Sequence, residues 1–166
     1  MQRLKTGFVL SIMAAAIATS GALTAADKYN GPRPAKADVP YLLHAENLIE
    51  TEIGEAKEES RKDGRAYILN GTASQVRTPL AEPIFLIKVE KLNPDKLALY
   101  PLEVKDGKRE VYFPNRPRKD SARPVHTIVT RVADGLYRLE ANEGLENGEY
   151  ALSPDGTNQV FAFQIY

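Results

Sequence analysis

The chain has 166 residues, with 22 basic and 22 acidic side chains, two histidines and no cysteine. A balanced charge gives no global pull toward nucleic acid or a membrane surface. The missing cysteine excludes disulfides, thiolate metal sites, a cysteine nucleophile and a lipid-modified N-terminal cysteine together.

Arg3 and Lys5 open the chain, and no charged residue occurs from Thr6 to Ala26. Phe8, Val9, Leu10, Ile12, Met13 and Ile17 form an apolar stretch, followed mostly by small residues. Positive, apolar, then small is the order of a secretory signal peptide. Cleavage is expected after Ala26, with Ala22 as the alternative. The rival is an uncleaved anchor, since the uncharged run is long enough to span a bilayer; its second half, rich in Ala, Ser, Thr and Gly, inserts weakly. A cysteine-free exported domain suits a bacterial periplasm or medium better than a eukaryotic secretory route. Removing residues 1–26 leaves 140, with 20 bases against 22 acids, enough for one domain.

Residues 27–40 carry three prolines and few apolar groups, which predicts a flexible leader before a single domain over 41–166. Residues 41–62 are ambiguous. Leu42, Ala45, Ile49, Ile53 and Ala56 fall on one helical stripe, but Thr51, Ile53 and Gly54 are poor helix formers. Asp63-Gly64 followed by Arg65–Leu69 reads as a turn and return strand. The reading leans to strands and leaves a helix within 41–62 open. Residues 70–83 read as a loop; Asn70-Gly71-Thr72 matches a glycosylation acceptor but is read as a turn. Residues 84–89 (IFLIKV) predict a short strand buried on both faces.

Three hairpins follow. The first joins Leu97–Val104 to Arg109–Phe113. A type I′ turn at Asp106-Gly107 pairs Leu102 with Val111, Tyr100 with Phe113 and Glu103 with Glu110; a bulged turn would pair Glu103 with Arg109. The second joins Thr127–Val132 to Leu136–Ala141 across Asp134-Gly135, pairing Val132 with Tyr137, Thr130 with Leu139 and Ile128 with Ala141. The third joins Glu149–Ser153 to Val160–Ile165 across residues 154–158. About seven to nine short strands with frequent turns predict an all-β, antiparallel sandwich, with a barrel as the alternative.

Residues 145–152 (LENGEYAL) resemble the tyrosine corner of immunoglobulin-like folds. That resemblance implies that the Tyr150 hydroxyl bonds back to nearby backbone. No Trp is present, and Leu152 stands where antibody domains have Cys. Residues 77–85 (RTPLAEPIF) and 158–163 (NQVFAF) make the chain similar to a group of uncharacterised exported bacterial proteins. That likeness implies an exported β domain and no activity.

No motif for catalysis stands out. His44 and His126 lie 82 positions apart and read as structural residues. HExxH, GxSxG, SxxK and phosphate-binding glycine loops are missing. Glu50, Glu52, Glu58 and Glu59 sit in an acidic run rather than an apolar setting that would raise a carboxyl pKa. Asp155-Gly156-Thr157-Asn158 offers only a fragment of a Ca²⁺ loop. No cofactor and no metal site are expected.

Charge is uneven instead. Residues 46–63 hold seven acids against three bases, and residues 105–124 hold seven bases against three acids. These read as solvated surfaces or as segments facing each other. The loop 114–124 presents Arg116, Arg118, Lys119 and Arg123 among three prolines. Arginines there suit phosphate, sulfate or carboxylate, and without alternating aromatics they do not suit single-stranded nucleic acid. The expectation is an extracytoplasmic, non-catalytic binding or structural domain that contacts an anionic polysaccharide or an envelope protein through this loop. The alternatives are a hydrolase without a recognisable motif and a small outer-membrane β-barrel. The segment Gln159–Tyr166, as an edge strand, could also accept a partner's strand.

Overall fold

The computed structural model describes residues 29–119 and 121–166; the segment read as a signal peptide lies outside them. The described chain is almost wholly β. A five-stranded antiparallel sheet has the order β10 (Thr127–Ala133), β11 (Leu136–Ala141), β7 (Ile84–Lys88), β1 (Pro40–His44), β2 (Asn47–Glu50). A larger sheet has the order β3 (Glu52–Glu55), β13 (Gln159–Ile165), β12 (Gly148–Pro154), β8 (Leu97–Lys105), β9 (Lys108–Pro114), β5 (Gly64–Asn70), β4 (Lys57–Arg61). The two-residue strand β6 (Arg77–Thr78) runs parallel to β13. One turn of 3-10 helix, Pro94–Lys96, leads into β8 and is capped by the Asn93 side chain. The sheets pack as a sandwich.

The main core lies between the sheets. Leu42, Phe85, Ile87 and Leu139 from the smaller sheet meet Leu97, Leu99, Tyr150, Leu152, Phe161 and Phe163 from the larger. The Phe163 ring is edge-on to Phe85 at 5.0 Å and stacked on Tyr150 at 5.7 Å. Burying one such side chain is worth about 1.5–3 kcal/mol.

The larger sheet curls back on itself. Its two terminal strands, β3 and β4, are consecutive in the chain and joined by Ala56 alone, whose N–H donates to the Asn158 carbonyl at 2.7 Å. Successive side chains on a strand point to opposite faces, so β12 and β13 bury both, and β8 buries one and half-covers the other. One face supplies the main core; the other turns Leu102, Ala151, Val160 and Ala162 into a second cluster inside the curl, with Ala56 and Leu69. That explains why β12 and β13 are buried almost without interruption.

Residues 41–62 are strands. β2 hands over to β3 at the buried Thr51, whose hydroxyl and N–H both donate to the Pro40 carbonyl. The helical stripe is dispersed, with Leu42 and Ala56 buried while Ala45, Ile49 and Ile53 are exposed. Cross-sheet pairing outweighs a weak helical pattern.

Several local expectations need correction. Thirteen strands form among the described residues, not seven to nine, because short segments such as β6 pair only through distant partners. The β4–β5 turn is Lys62-Asp63, and Gly64 begins the return strand opposite Pro114; a Cβ there would collide with the backbone of Phe113 and Pro114. In the β10–β11 hairpin a bulge between Arg131 and Ala133 slips the register by one. Val129 faces Leu139 and Arg131 faces Tyr137, which leaves Ile128 exposed; a single extra residue reverses the sides of all those before it. Gln159–Ile165 is no edge strand, since it pairs with β12, β3 and β6. The segment read as a flexible leader is held at its C-terminal end. Asp38, at φ 59°, accepts from the N–H groups of Glu90, Lys91 and Leu92 at 2.9–3.1 Å, and its own N–H donates to the Lys88 carbonyl.

Candidate binding site

The first hairpin closes as a two-residue turn, with positive φ at both Asp106 and Gly107. Its ladder runs only through Lys105–Lys108, Val104–Arg109 and Glu103–Glu110. From the closing pair outward, every second pair exchanges hydrogen bonds, which assigns the next exchange to Pro101 and Tyr112. Pro101 has no N–H to give. The strands therefore part, and the expected pairs Leu102–Val111 and Tyr100–Phe113 are not laddered. β8 pairs with β12 along Leu97–Leu102, and β9 pairs with β5 along its whole length. On the freed edge of β8 the Leu99 carbonyl accepts from the Val125 N–H at 2.7 Å.

Between the parted strands and the curl lies an open cleft of about 960 Å³. Tyr67, Tyr100 and Phe113 form its aromatic wall, with Phe113 edge-on to Tyr67 at 5.9 Å and to Tyr100 at 5.4 Å. The floor is Leu69, Leu102, Val111, Ala151 and Val160; the rim carries Glu58, Arg65, Asp95, Lys96, Asp155 and Asn158. Burial raises the pKa of the Tyr100 phenol, and the nearby Asp155 charge adds to this.

Strand alternation carries the same face from rim to closed end: Phe113, Val111, Arg109 on β9; Ser153, Ala151, Glu149 on β12; Glu58, Ala56, Gly54, Glu52 along β4 and β3. The closed end is thus an ionic cluster. Arg109 is 1 % exposed. Its guanidinium donates to both Glu52 oxygens (2.7 and 3.0 Å), to Glu149 Oε2 (3.4 Å), and to the carbonyls of Asn70 (3.0 Å) and Gly71 (3.3 Å). Glu149 Oε2 also accepts from the Ser74 N–H at 2.9 Å, while Oε1 is buried without a partner.

The two carboxyls titrate in opposite directions. Burial pushes Glu149 above the usual carboxylate range, because one long contact to Arg109 and the Ser74 N–H do not offset it. Burial also acts on Glu52, but its two-pronged bond to Arg109, the Ser74 hydroxyl and the Arg109 charge together hold it below that range. Desolvation would lower the pKa of Arg109, yet the Glu52 bonds and both carboxylate charges raise it.

On the outer side of β9, Glu110, opposite Glu103 in the ladder, takes a two-pronged bond from Arg61 at 2.6 and 2.9 Å. That bond, aided by Lys105 and Lys108, holds the Glu110 carboxyl low against its partial burial. The pairs Glu52–Arg109 and Arg61–Glu110 thus join the acidic segment 46–63 to the basic segment 105–124.

The loop after β9 begins with the Asn115 N–H on the Asp63 carbonyl (2.7 Å). Ser121 ties it further: its hydroxyl accepts from the Arg118 N–H at 2.6 Å, and its N–H donates to the Arg118 carbonyl at 3.2 Å. Arg116, Arg118, Lys119 and Arg123 are exposed, and none of them forms an ion pair among the described residues. Arg116 and Arg118 border a second, smaller hollow with Pro101, Glu110 and Tyr112.

His44 and His126 are both exposed. Among the described residues no group of three or more His, Asp or Glu side chains could hold a metal ion, and no helix is long and apolar enough to cross a membrane. The Tyr150 hydroxyl donates to the Glu146 carbonyl at 2.9 Å, four residues back. Arg109 falls in the basic run that reads as a solvated surface or as a segment facing the acidic one, and its bonds to Glu52 fit the second; Pro101 carries no signal by itself. Alternation placed Arg109 on the face of Val111 and Phe113, and that was the signal that could have found it. No protein-family model matches the chain, and no match was found among curated proteins or solved structures.

Proposed function

We propose that this is an exported, non-catalytic binding domain of a bacterial cell envelope or its medium, which holds an anionic polysaccharide through the loop 114–124. The observation that carries the reading is the set of four exposed cations, Arg116, Arg118, Lys119 and Arg123, which lack counter-ions among the described residues. Three prolines and the Ser121 bonds restrict the loop, so less freedom is lost when it docks. Arginine forks match carboxylate and sulfate groups spaced along a polymer. The prominent buried charges, Arg109 and Glu149, point into the domain and serve its structure rather than chemistry on a substrate.

The test is retention of the mature protein on immobilised polygalacturonate, with neutral dextran as the control. Changing Arg116, Arg118 and Arg123 to Ser together should weaken binding roughly 3- to 100-fold, from three exposed contacts, and salt should weaken it in the parent protein. Retention of the triple variant equal to that of the parent overturns the reading.

A further inference from the structure

We infer that the aromatic cleft is a separate binding site for a small uncharged amphiphile, with an apolar aryl or alkyl body inside the curl and a hydroxyl-bearing head at the rim. At about 960 Å³ the cleft lies near the upper end of ligand-pocket sizes, roughly 300–1,000 Å³. Tyr67, Tyr100 and Phe113 are only half-buried there, so an apolar body would remove water from aromatic surface that the fold itself leaves wet. The Tyr67 and Tyr100 hydroxyls have no side-chain or backbone partner among the described residues and can bond to a ligand.

Charge decides the class. The closed end offers a ligand no accessible counter-ion, because every N–H of Arg109 is already engaged, Glu52 is bound to it, and the unpartnered Glu149 Oε1 is sealed from solvent. A charged body would be desolvated without compensation. The rim carries Glu58, Asp95 and Asp155 against Arg65 and Lys96, with Arg65 3.5 Å from Glu58. Such a mixed rim offers donors and acceptors side by side, as hydroxyls require, and no strong net field for an ionic head.

The site is separate from the arginines of the loop, although Pro114 and Asn115 at the start of the loop border both hollows. Phe113 faces the cleft while Tyr112, its neighbour on β9, faces the outer hollow with Arg116 and Arg118.

The experiment titrates the mature protein with the neutral dye N-phenyl-1-naphthylamine and follows its fluorescence. A saturable rise at one dye per chain is expected. Octyl glucoside below its micelle concentration should displace the dye, and octanoate at neutral pH should need at least tenfold more. Ala98→Phe adds a ring to the cleft wall and should weaken dye binding at least tenfold with an unchanged circular dichroism spectrum. If that variant does not fold, Ser153→Phe, from its cross-strand neighbour, carries the same expectation. The triple arginine variant of the loop should bind the dye within twofold of the parent. A dye signal that does not saturate overturns the site, as does unaltered binding by the folded cleft-filling variant. Equal displacement by octanoate and octyl glucoside overturns the assignment to an uncharged ligand.

Discussion

Replacing Arg109 with methionine keeps an unbranched stem but removes the charge and all five contacts of the guanidinium. The Glu52 side chain is 31 % exposed and can return its charge to water; that of Glu149 is 3 % exposed and cannot. Breaking a buried pair so that one charge stays behind costs about 3–5 kcal/mol, and the orphaned carbonyls of Asn70 and Gly71 fall within that loss. For a domain of this size the change is about 10–15 °C in melting temperature. The pH dependence checks the cause. A carboxyl whose folded pKa is raised binds protons more readily in the folded chain. Its destabilising effect is therefore relieved as the pH falls through that value and is complete above it. Glu149 is already raised by burial, and without Arg109 it rises further. The deficit of Arg109→Met should then shrink between pH 7 and roughly pH 5. In the parent protein Glu52 works the other way: its lowered pKa gives stability above the ordinary carboxylate range that is lost on acidification. Adding Glu149→Leu to Arg109→Met should recover at least half of the loss, since the isolated charge is gone. Thermal melts at pH 7 and pH 5 decide the matter. A single variant melting within a few degrees of the parent at pH 7, or a deficit that grows on acidification, refutes the reasoning.

Tyr150→Phe removes only the bond to the Glu146 carbonyl and should cost about 1 kcal/mol in urea unfolding. Gly64→Ala forces the β5 backbone away from Phe113 and Pro114 and should cost about 1–3 kcal/mol; full stability would show that the two strands have room to separate. Burial alone would raise the Asp38 carboxyl, but the N–H groups of Glu90, Leu92 and Lys91 and the Lys91 charge hold it low. Its contribution is present above the ordinary aspartate range and lost as the pH falls, so Asp38→Asn should be less stable than the parent at pH 7 and level with it in acid. A gap in urea midpoint that is independent of pH contradicts this.

What the sequence disclosed was local. Asp106-Gly107 announced its turn because few residue pairs accept two positive φ angles, and residues 84–89 announced a buried strand by being apolar on both faces apart from Lys88. The Tyr150 contact spans four residues and was legible for the same reason. What stayed hidden depended on partners far along the chain. Val132 looks like any strand residue, and only the pairing of Val129 with Leu139 exposes the bulge. Arg109 lies among surface cations, and its burial follows from Glu52 and Glu149 converging on it. Pro101 was visible, but its effect requires knowing that Tyr112 stands opposite. The exposure of Arg116, Arg118, Lys119 and Arg123, by contrast, was legible, because a short run of charge and proline has no apolar side to bury.

The curl of the larger sheet also fixes an order of events. β3 lies next to β13, more than a hundred positions later, and β12 and β13 carry buried residues on both sides. The early strands consequently have no complete surface to settle on until those late segments arrive. Non-local pairing of this kind slows folding. A partly delivered polypeptide would remain unsettled, and the commitment to the native state would come near the end of its emergence, all at once.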